Sequence, residues 1–173
     1  EFRRVLSDLD KENRAIRAYF ADMALQLSML PHVFTHRDYH SRNLMVQQKD
    51  DAPCKIRVID FQDALMGPCH YDLASLLRDS YIDLPEEVID DLISYYLSEW
   101  EAQTQEKIER QRFREIFDLI SIQRNLKAAG RFVYIDQVKK NPNFLPYVAP
   151  TLAKVKQNLK KHKRLKPLYD LLS

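Results

Sequence analysis

Glycine is nearly absent: Gly67 and Gly130 are the only two in 173 residues. A Walker loop or a glycine-rich phosphate loop needs several glycines so that backbone N–H groups can approach phosphate; the chain contains neither. Cysteine is as scarce. Cys54 and Cys69 are too few for a disulfide framework and lack the Cys-x-x-Cys spacing of a zinc site, so both are expected as free thiols. No apolar run approaches the roughly 18 residues of a membrane-spanning helix, and the opening EFRRVLSDLD lacks the apolar centre of a signal peptide. A cytoplasmic protein with no membrane partner is expected. An excess of one charge is missing too, since a formal net charge of +2 does not by itself imply a polyanionic partner. The basic stretch KVKQNLKKHKRLK, Lys154 to Lys166, carries no aromatic residues between its lysines to stack on bases. Leu152, Val155, Leu159 and Leu165 recur near helical spacing, so the stretch reads as a solvated helix face and no nucleic-acid partner is expected.

What is present describes one globular domain over residues 1–173. The hydrophobic fraction is 45% and the charged fraction 30%, close to ordinary soluble composition. From Phe2 to Leu30 apolar residues follow a helical period, giving one or two helices. After Pro31 the texture changes. HVFTH and NLMVQQ are short extended segments, KIRVIDF alternates apolar and polar residues, and the turn KDDAP, Lys49 to Pro53, predicts a hairpin of 44–48 with 55–59. Beyond Pro68 the pattern is helical. LPEEVIDDLISYYLSEW opens with proline and two glutamates, which suit the positive end of a helix. EKIERQRFREIFDLISIQRNLKAAG is expected to end at Gly130, with two more helices following on either side of NPNFLP. The fold class is α+β, mainly helical, with one small hairpin.

The chemistry gathers around that hairpin. His36-Arg37-Asp38 is followed after four residues by Asn43, and 17 positions later stands Asp60, in Ile59-Asp60-Phe61. The first element has the spacing of the kinase catalytic loop H-R-D-x-x-x-x-N, and the second sets an aspartate just after a strand, as the magnesium-binding D-F-G does. Phosphoryl transfer requires a carboxylate to orient the attacking hydroxyl and take its proton, plus oxygen ligands that hold Mg²⁺ against the triphosphate. Asp38 suits the first task, Asn43 and Asp60 the second. A hairpin between the last two would bring them together.

THRDYHSRNLMV, RVIDFQDALMGPCHYDLASLLRDSY and IQRNLKAAGRF resemble the bacterial aminoglycoside phosphotransferase-like kinases, most of all the anomeric sugar kinases that act on N-acetylmuramate and N-acetylglucosamine. The likeness runs from Val33 to Phe132. It implies the C-terminal lobe of a protein-kinase-like fold, ATP and Mg²⁺ as cofactors, a small-molecule substrate, Asp38 as catalytic base, and Asn43 and Asp60 as metal ligands. It also implies nucleotide contacts at Met45, Ile59 and His40, and structural support of the loop from His36 and Asp72. Asp72 can equally be read as an ordinary helix N-cap, and His40 as a surface histidine. Tyr81, Arg124 and Asn125 are nominated for the acceptor.

The sequence departs from that pattern in places. Gln62 replaces the glycine of D-F-G and no A-P-E element follows, which favours a small acceptor over a protein. Asp63 is a further possible magnesium-shell carboxylate. Only 35 residues precede His36, and they read as helix, so the N-terminal lobe that covers the phosphates is expected to be missing and the chain to be poorly active alone. Two other readings stay open. His36, Asp38 and His40 alternate and, on an extended segment, would share one side as ligands for metal-assisted hydrolysis; or the chain is a non-catalytic kinase-like scaffold.

Overall fold

The computed structural model describes residues 2–48 and 54–171, with backbone alone for residues 2–13 and 15. The anticipated turn at Lys49 to Pro53 lies outside the described residues. One helix, α1 (Phe2–Ser28), covers the first segment and presents Met23 and Leu27 to the core. Four short strands follow: β1 (His32–Thr35), β2 (Leu44–Gln47), β3 (Lys55–Val58) and β4 (Leu65–Pro68). They form two separate antiparallel ribbons, β1 with β4 and β2 with β3. The β2–β3 pairing expected from sequence is present, with Leu44 opposite Val58 and Gln47 opposite Lys55.

The partner of β1 was not foreseen. LMGP contains a glycine and a proline, and nothing in it alternates as a strand should. Gly67 serves there because Thr35 comes so close: a Cβ at Gly67 would lie 3.0 Å from Thr35 Oγ1, which itself donates to the Leu65 carbonyl at 2.7 Å.

The rest is helical: α2 (His70–Leu77), α3 (Glu86–Thr104), α4 (Arg110–Lys139), α5 (Val148–Lys161) and α6 (Lys166–Leu171). The long α4 is the central pillar, contributing Phe113, Phe117, Ile120 and Ile122 to a core completed by Ile89, Ile93, Val155, Leu159 and Leu168. Its start is fixed by Glu109, whose carboxylate accepts from the amides of Gln111 and Arg112 at 2.7 and 2.6 Å. The apolar residues of the basic stretch, Val155, Leu159 and Leu165, are buried, as a helix with a solvated basic face requires.

The expected stop at Gly130 is wrong. Helix α4 runs on for nine more residues to Lys139 and is capped by Lys140, which adopts the left-handed conformation at φ 54°. Burial of Phe132 against Phe144 and Tyr147 outweighs the weak helix propensity of one glycine, which costs about 1 kcal/mol relative to alanine. A Cβ at Gly130 meets nothing within 4 Å. Gly130→Ala is therefore expected to stabilise the fold by about 0.5–1 kcal/mol, read as a raised urea midpoint at unchanged slope. A lowered midpoint would contradict an unobstructed helical site.

Glu86, in the first turn of α3, ties the helices together by accepting from Arg78 and Arg114 at 2.6 Å each and from Lys161 at 3.0 Å. Burial alone would raise its carboxyl, but these bonds prevail and hold it at about 2. His70 lies stacked on Phe113 with ring centroids 4.0 Å apart, and burial lowers its imidazole from 6.5 to about 4. In both cases the unfolded chain takes up the proton first as pH falls. The His70 contribution is complete above pH 6.5 and lost towards pH 4; that of Glu86 is complete above 4.5 and lost towards 2. For buried His70 the loss is about 3 kcal/mol, whereas partly exposed Glu86 is discounted for solvent screening. The urea midpoint should fall between pH 6.5 and 4, and His70→Phe should flatten that slope. An unchanged midpoint across this range would rule the titration out.

Candidate functional site

Strand β1 ends at Thr35 and releases the loop His36–His40, which passes through a 3₁₀ turn, Ser41–Asn43, into β2. Asp72, on the first turn of α2, holds this loop. Its two carboxylate oxygens accept the backbone N–H groups of His36 at 2.6 Å and Arg37 at 2.9 Å. It therefore caps the loop, and the N-cap position of its own helix belongs to Cys69. The grip matters because Arg37 sits at φ 73°, a left-handed backbone that a non-glycine residue adopts only when its surroundings impose it. The Arg37 carbonyl receives Arg124 Nη1 at 2.7 Å, and the Arg37 side chain bonds the Asp63 carbonyl at 3.1 Å. His36 is buried and its Nε2 lies 2.9 Å from the Ile59 carbonyl, joining the loop to the end of β3.

The β2–β3 pair brings the other two residues together. The Ile59 N–H donates to the Asn43 carbonyl at 3.1 Å, one step past the ladder, so Asp60 emerges beside Asn43. The Asn43 amide nitrogen donates to the Asp38 carbonyl at 2.9 Å and lies 3.4 Å from Asp60 Oδ2. Asp60 is the second left-handed residue of the site, at φ 67°, and its Oδ1 accepts from Gln62 at 2.7 Å. Magnesium is bound through oxygen atoms, one or two of them carboxylate, the rest water and substrate phosphate. The Asp60 carboxylate and the Asn43 side-chain oxygen, whose nitrogen is engaged elsewhere, fit that donor set.

The alternating His36, Asp38 and His40 do not share a side. The strand stops before them and the turn at Arg37 breaks the alternation, sending the His36 ring to Ile59 and the His40 ring edge-on to Tyr81, 5.7 Å between centroids. Among the described residues no three His, Cys, Asp or Glu side chains are grouped to hold a metal ion. The arrangement on which the hydrolase reading depended is not there.

Asp38 is half-buried and opens on a cavity of about 440 Å³. The three residues nominated for an acceptor, Tyr81, Arg124 and Asn125, all line it, as do His40 and Asp63. Tyr81 is held by the Arg42 guanidinium 3.6 Å from its ring centroid and by Tyr147 edge-on at 5.0 Å; burial pushes its phenol up, so it stays neutral. Met45 and Ile59 are 51% and 40% exposed, leaving an apolar surface beside Asp60. Sequence reasoning missed Asp79. It is buried and accepts from the Ser41 amide at 3.0 Å, the Ser41 hydroxyl at 2.6 Å and the Tyr81 amide at 2.9 Å, so it couples the loop to the cavity wall. Its signal, an aspartate in LLRDSY, was visible, but the partner that needs it lies 38 residues away.

Comparison with known proteins gives the family. The model of the phosphotransferase enzyme family matches residues 1–107. A protein of Neisseria meningitidis serogroup B named N-acetylmuramate/N-acetylglucosamine kinase is 36% identical over 143 residues, 82% of this chain and 41% of its own length. Proteins of the same name are 35% identical over 119 residues in Pseudomonas aeruginosa, 66% of this chain and 33% of theirs, and 30% identical over 144 residues in Pseudomonas putida, 83% and 41%. The chain thus spans less than half the length of the relatives it matches. With the family model covering more than half of its residues, the chain belongs to the phosphotransferase enzyme family.

Proposed function

We propose that this chain forms the acceptor-activating part of a kinase that transfers the γ-phosphoryl group of ATP to a hydroxyl of a small amino sugar of the N-acetylmuramate or N-acetylglucosamine kind. The observation that carries this reading is the meeting of Asn43 and Asp60, 3.4 Å apart, next to an Asp38 that opens on a sugar-sized cavity. The relatives' names supply the acceptor class.

In this reading Asp38 orients the acceptor hydroxyl and takes its proton on a carboxylate oxygen as the new O–P bond forms. Asp60 and Asn43 would hold magnesium, which supplies positive charge against the phosphate oxygens. The bond from Asn43 to the Asp38 carbonyl links the two tasks, since it fixes the base relative to the metal-binding pair. Asp72 and His36 hold the loop, and the exposed Met45 and Ile59 offer an apolar surface for the adenine. His40, packed on Tyr81, borders the cavity.

The proposed nucleotide contacts among the described residues are few: Met45 and Ile59 for the base, Asn43 and Asp60 through magnesium. The 173-residue chain is therefore expected to bind Mg-ATP weakly, in the millimolar range, and calorimetry giving micromolar affinity would contradict this. Asp60→Ala should remove the magnesium dependence of what binding there is. The function itself is tested by screening amino sugars, aminoglycosides and choline as acceptors of labelled γ-phosphate with the full-length protein that contains this chain. Transfer to amino sugars is expected; transfer only to aminoglycosides or choline would overturn the acceptor class.

A further inference from the structure

The cavity at Asp38 has two unlike walls. The loop side carries the carboxylates of Asp38, Asp63 and Asp79, the last already engaged by Ser41 and Tyr81. Another part of the lining is one face of α4, where Arg124, Lys127 and Arg131 border the cavity within two turns of helix. Arg124 is committed to the Arg37 carbonyl and lies over the Tyr71 ring. Lys127 and Arg131 are not committed in this way. Both are exposed, Arg131 leans over the Tyr134 ring at 5.3 Å, and neither joins any of the ion pairs formed among the described residues.

Asn125 lines the same cavity, 3% exposed, with an amide nitrogen that has no hydrogen-bond partner. A buried donor left unpaired costs free energy that a ligand acceptor recovers. A neutral sugar would bring no anionic group to these two cations, which form no ion pair of their own among the described residues. An acceptor with a hydroxyl at one end and a carboxylate at the other matches both walls.

We infer that Asn125, Lys127 and Arg131 form a carboxylate subsite of the acceptor cavity, which makes the protein select an acidic amino sugar over its neutral counterpart. This rests on the acceptor reading given above. N-acetylmuramate and N-acetylglucosamine are suitable probes, because the first differs from the second by an added lactyl ether that bears a carboxylate.

Binding of each sugar to the 173-residue chain is measured by calorimetry without nucleotide. N-acetylmuramate should bind about tenfold more tightly, the gain of one charge-assisted hydrogen bond pair over none. Arg131→Glu, at an exposed position where folding is not at risk, should bring the ratio of the two affinities to about one, and Asn125→Asp should do the same. Equal affinities for the wild-type chain, no binding of either sugar at millimolar concentration, or a ratio unchanged in Arg131→Glu would overturn the subsite. Mg-ATP should leave the N-acetylmuramate affinity unaltered; displacement of the sugar by Mg-ATP would assign the cations to nucleotide phosphate and overturn it as well. The two claims fail separately. With transfer assayed on the full-length protein that contains this chain, phosphoryl transfer with equal sugar affinities sinks only the subsite, whereas an intact affinity ratio without transfer to any acceptor sinks only the kinase reading.

Discussion

Asp38→Asn is expected to lower phosphoryl transfer by about 10²- to 10⁴-fold, the usual contribution of a positioned general base, while leaving nucleotide affinity within about twofold. The substitution is nearly isosteric and leaves the backbone contacts of residue 38 in place. Its carbonyl still accepts the Asn43 amide and the His40 N–H, so the Asn43–Asp60 pair keeps its geometry. Only the ability to accept a proton is lost. The effect should fall on kcat, with the sugar KM little altered, when mutant and wild type are compared in the same length of chain. A mutant retaining a tenth or more of wild-type kcat would refute the role of Asp38, whatever its fold.

The second large effect is structural in origin. Asp72→Ala removes both acceptors of the His36 and Arg37 amides and leaves a left-handed Arg37 without the contact that imposes it. Each hydrogen bond to a charged group contributes about 1.5–3 kcal/mol, so a loss of about 3 kcal/mol is expected after water has partly replaced the carboxylate. Asp72→Asn should recover little, because its NH₂ group would face a backbone donor. Urea unfolding measures the loss of stability. Turnover under folding conditions should fall by about 10²-fold, since displacing the base by about 1 Å is enough for that. Full stability together with full activity in Asp72→Ala would show that the loop holds its shape without the carboxylate.

How much of this was legible depended on the range of each interaction. The meeting of Asn43 and Asp60 was readable because it needs only a spacing and a hairpin, and β-branched alternation in KIRVIDF announced the hairpin. The placement of Tyr81, Arg124 and Asn125 around Asp38 was readable only as a resemblance, and the cavity now joins them. Strand β4 was illegible because its residues have little strand character. It forms through the close fit of Gly67 to Thr35, 32 residues earlier in the chain. Gly130 misled for the opposite reason: local propensity argued for a stop, but Phe132 had aromatic partners that the sequence alone did not reveal. The left-handed Arg37 escaped as well, because an arginine carries no signal for positive φ, whereas support of the loop by Asp72 was expected from the resemblance.

Asn43 and Asp60 are proposed as a magnesium site next to a base at Asp38. Mn²⁺, added with a non-hydrolysable ATP analogue at millimolar concentration, can stand in for magnesium and broaden the NMR signals of nearby nuclei. Broadening should centre on Asn43 and Asp60, require the nucleotide analogue and vanish in Asp60→Ala. Broadening centred on His36 and His40, or undiminished in Asp60→Ala, would contradict the account.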